Sequence, residues 1–117
     1  MLIFLYGSLL DTRVLERRAG TPGLARRAMP ARLAGFRRVR MRGGRWPTLR
    51  RAPGPVLEGM VLRAGAAALR CLAAYEGPRY RLVPVAVGTP LGKSRVGKVR
   101  AWAWVAPGTY VTWGEGR

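Results

Sequence analysis

Histidine is absent from this chain of 117 residues, cysteine occurs once, as Cys71, and only five residues are acidic. Without histidine there can be no Ser-His-Asp triad, no Cys-His dyad and no histidine-ligated metal site. A single cysteine forms neither an intramolecular disulfide nor a thiolate zinc site. It indicates a reducing compartment, and we expect Cys71 to be a buried apolar filler. We expect no metal and no cofactor, so proton transfer near neutral pH falls to the carboxylates.

Long apolar runs are also missing. No window approaches the roughly 20 consecutive apolar residues that a membrane-spanning helix needs. The apolar run at residues 2–6 lacks a basic leader, is too short for a signal-peptide core and runs directly into Gly7, so we interpret it as a first strand. Because 49% of the residues are hydrophobic, the chain can build its own core. We expect one domain over residues 1–117, soluble and cytoplasmic, with no membrane partner.

Asparagine and glutamine are absent too, whereas arginine occurs 20 times and the net charge is +17. Such a charge attracts polyanions. Arg38, Arg40 and Arg42 alternate along a predicted strand, and Arg45, Arg50, Arg51 and Trp46 follow close by. One interpretation is therefore a basic module that binds nucleic acid, or at least binds polyanions non-specifically. Coding bias, together with selection against thermolabile amides, explains the same composition without any polyanion partner.

The pattern of strands and turns predicts a mixed fold. The Ser8-to-Asp11 spacing matches a capping box and opens a first helix that stops at Gly20. Residues 65–75 are rich in Ala and Leu and form a second helix, which Gly77 and Pro78 end. Strands are expected at residues 2–6, 29–41, 56–63, 80–87 and 99–105, with an irregular crossing at 46–55 and a loop at 88–97. We predict an α+β domain with a curved, closed sheet.

Among the five acids, Glu76 is the best placed for proton transfer. Glu16 lies among arginines of the first helix, Asp11 suits the helix start, and Glu115 lies in the C-terminal Gly-Glu-Gly-Arg. Glu58 lies on a strand and stays a minor candidate. Glu76, by contrast, ends the second helix, where the macrodipole disfavours a negative charge.

Two interpretations of Glu76 stay open. It either pairs with Arg79 or Arg81, or it is a base whose pKa is raised by the helix dipole and by partial burial. The turn Tyr6-Gly7-Ser8-Leu9 is similarly ambiguous. Its backbone N–H groups leave a strand and open a helix, which suits a carboxylate ligand. Equally, Ser8 is a helix cap, Gly7 a turn residue and Tyr6 a core aromatic.

Several short motifs in order along the chain carry a family resemblance. They are Tyr6-Gly7-Ser8-Leu9, Gly35-Phe36-Arg37, Trp46-Pro47-Thr48-Leu49, Pro53-Gly54-Pro55-Val56, Glu58-Gly59 and Tyr75-Glu76-Gly77-x-x-Tyr80. Together they resemble the γ-glutamylcyclotransferase-like (AIG2-like) family over roughly residues 2–105. The first and last motifs, in this order, are the most specific part of the pattern.

The resemblance implies a small mixed β-barrel of about five to six strands with two short helices. It also implies a γ-glutamyl cyclotransferase-type enzyme, which converts a γ-glutamyl amine or peptide to 5-oxoproline and releases the amine. By motif position, Glu76 takes the role of general acid/base. The substrate-binding roles fall to the residues of the turn and of the second motif: Tyr6, Gly7, Ser8, Leu9 and Tyr80.

Two other functions are weighed beside this one. Ala73 and Leu82 stand where the family pattern commonly has Asp and Arg. One alternative is therefore a catalytically inactive barrel that binds a small metabolite. The basic nucleic-acid-binding module is the other alternative. A cavity that holds both Glu76 and the backbone of residues 7–9 would favour the enzyme.

Overall fold

The computed structural model describes residues 1–42, 47–90, 96–108 and 110–112. Its strands are β1 (Leu2–Leu5), β2 (Met29–Met41), β3 (Pro47–Arg63), β4 (Arg81–Pro90), β5 (Val96–Val105) and β6 (Tyr110–Thr112). Its helices are α1 (Thr12–Ala19) and α2 (Ala66–Glu76), and 3₁₀ turns occupy Ser8–Leu10 and Leu24–Arg27. The two helices and the strand at residues 29–41 confirm the prediction from the sequence.

Five strands close into a barrel. The order in the sheet is β3-β1-β5-β4-β2, and β2 pairs with β3 again, while β6 adds to one end of β2. β1 runs antiparallel to β3 and parallel to β5, so the barrel is mixed. Closure pairs the edges that an open sheet would leave free. The predicted small mixed barrel with two helices is confirmed.

Alternation along β1 separates two apolar cores. Phe4 and Tyr6 join a cluster that draws buried residues from all five barrel strands, so this cluster fills the barrel interior. Ile3 and Leu5 point the other way, into a cluster shared with Leu15 of α1 and other helix residues. The short first strand is therefore covered on both faces, which explains its continuous apolar sequence.

The start of α1 differs from the predicted capping box. Asp11 is the N-cap, and its carboxylate accepts hydrogen bonds from Arg13 N at 3.0 Å and Val14 N at 3.5 Å. Ser8 instead begins the preceding 3₁₀ turn, and its side chain makes no cap hydrogen bond there. The helix ends at Gly20, whose φ of 63° lies in the left-handed region, as the Gly stop signal predicts.

The predicted irregular crossing is wrong for residues 47–55, which belong to the long strand β3. β3 pairs with β2 on both sides of a register shift between Ala34 and Phe36. Gly35 and Gly54, with φ of 81° and 99°, lie within this shift, between the paired residues on its two sides. The irregularity accommodates Pro53 and the residues around it without ending the strand. Arg45 and Trp46, which belong to the basic stretch considered for polyanion binding, lie outside the described residues.

The loop predicted at residues 88–97 is shorter than expected. β4 continues to Pro90 and β5 begins at Val96, and the two strands pair in a regular antiparallel register from Arg81↔Val105 to Pro90↔Val96. Residues 91–95 lie outside the described part of the chain. Gly88 and Pro90 suggested a loop, but the continuous ladder overrides their local preference.

Cys71 lies on the outer face of α2. Cys71 is free and exposed on α2, so its predicted burial is wrong. α2 turns Ala68 and Leu72 towards the core, and Cys71 lies about 100° round the helix from Leu72. Within the described residues, no helix combines the length and apolar character needed to cross a bilayer. The cytoplasmic location stays a prediction.

Gly59 permits the close approach of β1 to β3, which supports a first prediction. A Cβ at this position would overlap the Leu5 carbonyl oxygen and lie 2.8 Å from Phe4 Cζ. We expect Gly59→Ala to lower the free energy of unfolding by at least about 3 kcal/mol, because backbone cannot move aside as a side-chain tip can. Gly65→Ala is the matched control, with φ of −78° and no atom within 4 Å of the added Cβ.

Chemical denaturation of both variants tests this prediction. Gly65→Ala changes an N-cap and should cost about 1 kcal/mol or less. Equal stability of the two variants would contradict the close packing at Gly59.

Candidate functional site

A cavity of about 130 Å³ lies where β1, the 3₁₀ turn and the end of α2 meet. The strands β1, β3 and β5 and the helix α2 all contribute residues to it, so the cavity depends on the tertiary fold. Its wall consists of Phe4, Leu5, Tyr6, Gly7, Ser8, Leu9, Pro47, Tyr75, Glu76, Tyr80 and Trp104. All six residues predicted for the site therefore line one cavity.

The turn at residues 7–9 lines this cavity. Its own hydrogen bonds run from Leu10 N to Gly7 O, at 3.0 Å, and from Asp11 N to Ser8 O, at 3.1 Å. The N–H groups of Ser8 and Leu9 have no acceptor within the turn, as expected at the start of a 3₁₀ turn. A Cβ at Gly7 would lie 3.2 Å from Pro47 Cγ, so this wall has little room for a side chain.

Glu76 is half-buried in the same cavity. Burial raises the pKa of its carboxyl group to about 7. Within the described part of the chain, neither Arg79 nor Arg81 forms an ion pair with it, so the ion-pair interpretation is wrong for these two residues. A carboxyl group with this pKa exchanges a proton readily at neutral pH, which is the property that a general acid/base needs.

Tyr6 is a core aromatic that also lines the cavity. Its side chain is buried, and its hydroxyl donates a hydrogen bond to the Trp104 carbonyl oxygen. Burial raises the pKa of this phenol, and the charges of Tyr80 and Glu76 raise it further. Arg38 donates to the Tyr6 carbonyl oxygen at 3.1 Å and so helps to fix the chain where it enters the turn.

Tyr80 closes another side of the cavity. Its hydroxyl donates to the Pro47 carbonyl oxygen at 2.8 Å, which ties the segment after α2 to the start of β3. Burial raises the pKa of Tyr80, and the nearby carboxylate of Glu76 adds to the effect. The ring thus forms a fixed wall beside the carboxyl group.

Tyr75 links the two ends of the site, although the sequence analysis gave it no role. Its hydroxyl lies 2.8 Å from Ser8 Oγ, and the Arg18 guanidinium lies over its ring, 5.0 Å from the centroid. Ser8 is therefore bound to Tyr75 and does not cap α1. The signal for Tyr75 was its position next to Glu76 in the second motif. Trp104 and Pro47 come from distant strands; Pro47 belongs to the motif Trp46-Pro47-Thr48-Leu49, whereas no motif of the sequence analysis includes Trp104.

The other described acids have different partners. Asp11 caps α1, Glu16 Oε2 accepts a hydrogen bond from Ala25 N at 3.0 Å, and Glu58 pairs with Arg32 at 3.2 Å on the exposed surface. None of them lines the cavity. Over residues 1–42, 47–90, 96–108 and 110–112, no cluster of three or more His, Cys, Asp or Glu side chains is placed to hold a metal ion.

The arginines considered for polyanion binding have partly structural contacts. Arg38 donates to the Tyr6 carbonyl, and Arg50 donates to the carbonyl oxygens of Leu49, Ala106 and Gly108 at 2.8, 3.0 and 2.6 Å. These bonds satisfy backbone groups near the cavity and at the end of β5. Nucleic-acid or other polyanion binding stays a prediction.

The described residues thus form a helix-flanked mixed barrel with a half-buried carboxyl group beside a strand-to-helix turn. The sequence matches the model of the family described as Gamma-glutamyl cyclotransferase, AIG2-like, over residues 3–115. The protein belongs to this family, which confirms the resemblance seen in its motifs. No curated protein matches the sequence significantly.

Solved structures show the same fold. A structure named Gamma-glutamyl cyclotransferase is 24% identical, with a TM-score of 0.73 over 96% of this chain and 69% of that one. An uncharacterised human protein is 25% identical, with a TM-score of 0.72 over 95% of this chain and 68% of that one. A yeast γ-glutamyl cyclotransferase specific to glutathione is 16% identical, with a TM-score of 0.69 over 100% and 73%.

The pKa of Glu76 generates a prediction about stability. Below the unfolded-state pKa of about 4.3 the carboxyl group is neutral in both states. As the pH rises through about 7, the folded state must hold a charge that burial disfavours, so this contribution to stability is lost. We expect Glu76→Gln to match wild type near pH 4 and to be more stable by about 1–2 kcal/mol near pH 8.

Denaturation at both pH values measures this difference. Glu58→Gln is the matched control, because it makes the same chemical change in an exposed ion pair. A stability difference for Glu76→Gln that stayed constant between pH 4 and pH 8, or that grew equally in the control, would contradict the burial of this carboxyl group.

Proposed function

We propose that this protein is a γ-glutamyl cyclotransferase-type enzyme that converts a γ-glutamyl amine or peptide to 5-oxoproline and releases the amine. The observation that carries the proposal is a single cavity that holds the half-buried Glu76 carboxyl group and the backbone of Gly7, Ser8 and Leu9. Membership of the family supports the reaction class. The named activities belong to the structural relatives, and the leaving amine of the substrate is not carried over from them.

The reaction needs one group that moves a proton. The free α-amine of the γ-glutamyl group attacks its own γ-carbonyl carbon, and a new N–C bond closes the five-membered ring. Glu76, as the carboxylate, accepts a proton from the attacking nitrogen. It returns this proton to the leaving nitrogen as the C–N bond to that nitrogen breaks. The carboxylate is regenerated, and neither water nor an enzyme nucleophile is consumed.

The remaining catalytic effect comes from positioning. Both reacting atoms belong to one molecule, so the cavity has to hold the substrate in a folded conformer. The N–H groups of Ser8 and Leu9, free of partners within the turn, are suited to bind an oxygen of the substrate. Tyr80 and Tyr6 complete the wall around the glutamyl group.

Substitution of Glu76 tests the role directly. We expect Glu76→Gln to lower kcat for 5-oxoproline formation by about 10²–10⁴-fold, because an amide cannot accept the proton. Formation of 5-oxoproline from a panel of γ-glutamyl amines and peptides is the measurement. Glu58→Gln, on the exposed surface, should retain wild-type activity. Full activity in Glu76→Gln would refute the assignment, and no product from any compound with wild type would refute the reaction.

The pH profile gives an independent test. Because the carboxylate is the active form, kcat should rise as the pH passes through about 7 and then level off. The small residual rate of Glu76→Gln should not show this step. A wild-type profile that is flat from pH 5 to pH 9, or that falls through pH 7, would count against Glu76 as the base.

A further inference from the structure

Arg18 lies beside the proposed active site without belonging to its wall. Its guanidinium is 5.0 Å from the centroid of the Tyr75 ring, and the Tyr75 hydroxyl lies 2.8 Å from Ser8 Oγ. Tyr75 and Ser8 both line the cavity. Ser8 and Arg18 are exposed, whereas Phe4, Leu5 and Trp104, which also line the cavity, are buried. Arg18 therefore stands at the solvent side of the cavity, between α1 and α2.

The charge of Arg18 has no acidic partner among the described residues. Asp11 and Glu16, the acids of the same helical segment, bond to backbone N–H groups, and Glu58 pairs with Arg32. The dipole of α1 favours a cation in its last turn, which accounts for both Arg17 and Arg18. The helix dipole does not account for the stacking of Arg18 on Tyr75, the residue whose hydroxyl connects α2 to Ser8 of the turn. A stacked guanidinium keeps its N–H edge available for a carboxylate.

We propose that Arg18 is a specificity-determining residue that favours γ-glutamyl substrates whose leaving amine carries a carboxylate. This inference rests on the proposed function. When the glutamyl group lies against Glu76 and residues 7–9, the leaving group extends towards the exposed side, past Ser8 and Tyr75. An amino acid leaving group places a carboxylate one carbon from the leaving nitrogen. A simple alkylamine places no charge there.

The size of the preference follows from the exposure of Arg18. An ion pair that stays in contact with solvent contributes little, so the discrimination should be about three- to fivefold in kcat/KM. Screening by salt should reduce it further. The overall charge of +17 also attracts an anionic substrate, and a control that removes one other arginine separates this general effect from the local one.

The test compares γ-glutamylalanine with γ-glutamylethylamide, which differ only by the carboxylate on the leaving amine. We expect Arg18→Gln to lower the ratio of their kcat/KM values about three- to fivefold at low salt, while kcat/KM for the ethylamide stays near wild type. Arg17→Gln is the matched control, since it removes the same charge about 100° round the helix. Arg18→Lys should retain part of the preference, because it keeps the charge.

The outcomes separate the two proposals. A fall in the ratio for Arg18→Gln that is absent in Arg17→Gln supports the inference. This fall should be smaller in about 0.5 M salt, because salt screens the exposed ion pair. Turnover of both compounds with an unchanged ratio, or equal losses in both variants, overturns it alone. An equal loss of both substrates in Arg18→Gln also overturns it, because the residue then only supports Tyr75. No 5-oxoproline from either compound with wild type overturns the proposed function, and this inference with it.

Discussion

The long pairing of β2 with β3 is the constraint on which the rest of the molecule depends. It joins the two ends of the strand order and turns an open sheet into a ring. β1 is then held between β3 and β5 and covered on both faces, so the direction in which the chain leaves β1 is fixed. The turn at residues 7–9 starts at that point. Because α2 packs over the same side of the barrel, its last residue, Glu76, meets the turn across the cavity.

Holding Glu76 in that cavity opposes the stability of the fold. Burial disfavours its charged form, and the same burial brings its pKa close to neutral pH. The surrounding hydroxyl groups are already bonded: Tyr6 to Trp104, Tyr80 to Pro47 and Tyr75 to Ser8. These hydrogen bonds hold the wall together, and among the described residues that line the cavity Glu76 supplies the carboxyl group. The pKa of Glu76 is raised because burial limits the solvation of its carboxylate, and among the described residues no ion-pair partner offsets this effect.

The sequence predicted the parts of the structure that depend on local chemistry. The Gly77 stop places Glu76 at a helix end, and elimination among five acids singles it out without any structure. Pairing over long distances was less accessible. Pro53 and Gly54 suggested an irregular crossing, yet the ladder with β2 keeps these residues in one strand. Ser8 fitted a capping box, but Asp11 caps α1 and a contact 67 residues away holds Ser8. Trp104 reaches the cavity because β5 pairs in parallel with β1, a pairing that no local pattern predicts.

The arginines show why a charge count does not by itself define a function. Arg38 and Arg50 belong to the basic stretch that suggested nucleic-acid binding, and both donate to backbone carbonyl groups that support the site. Such groups need donors when strands end and turns begin, and a long guanidinium supplies several at once. Part of the net charge of +17 is thus a consequence of how this barrel satisfies its own backbone. Arg18 differs from these two because its described contact is with the ring of Tyr75, which lines the cavity. For this arginine the position of the charge, and not the total charge of the protein, is what matters.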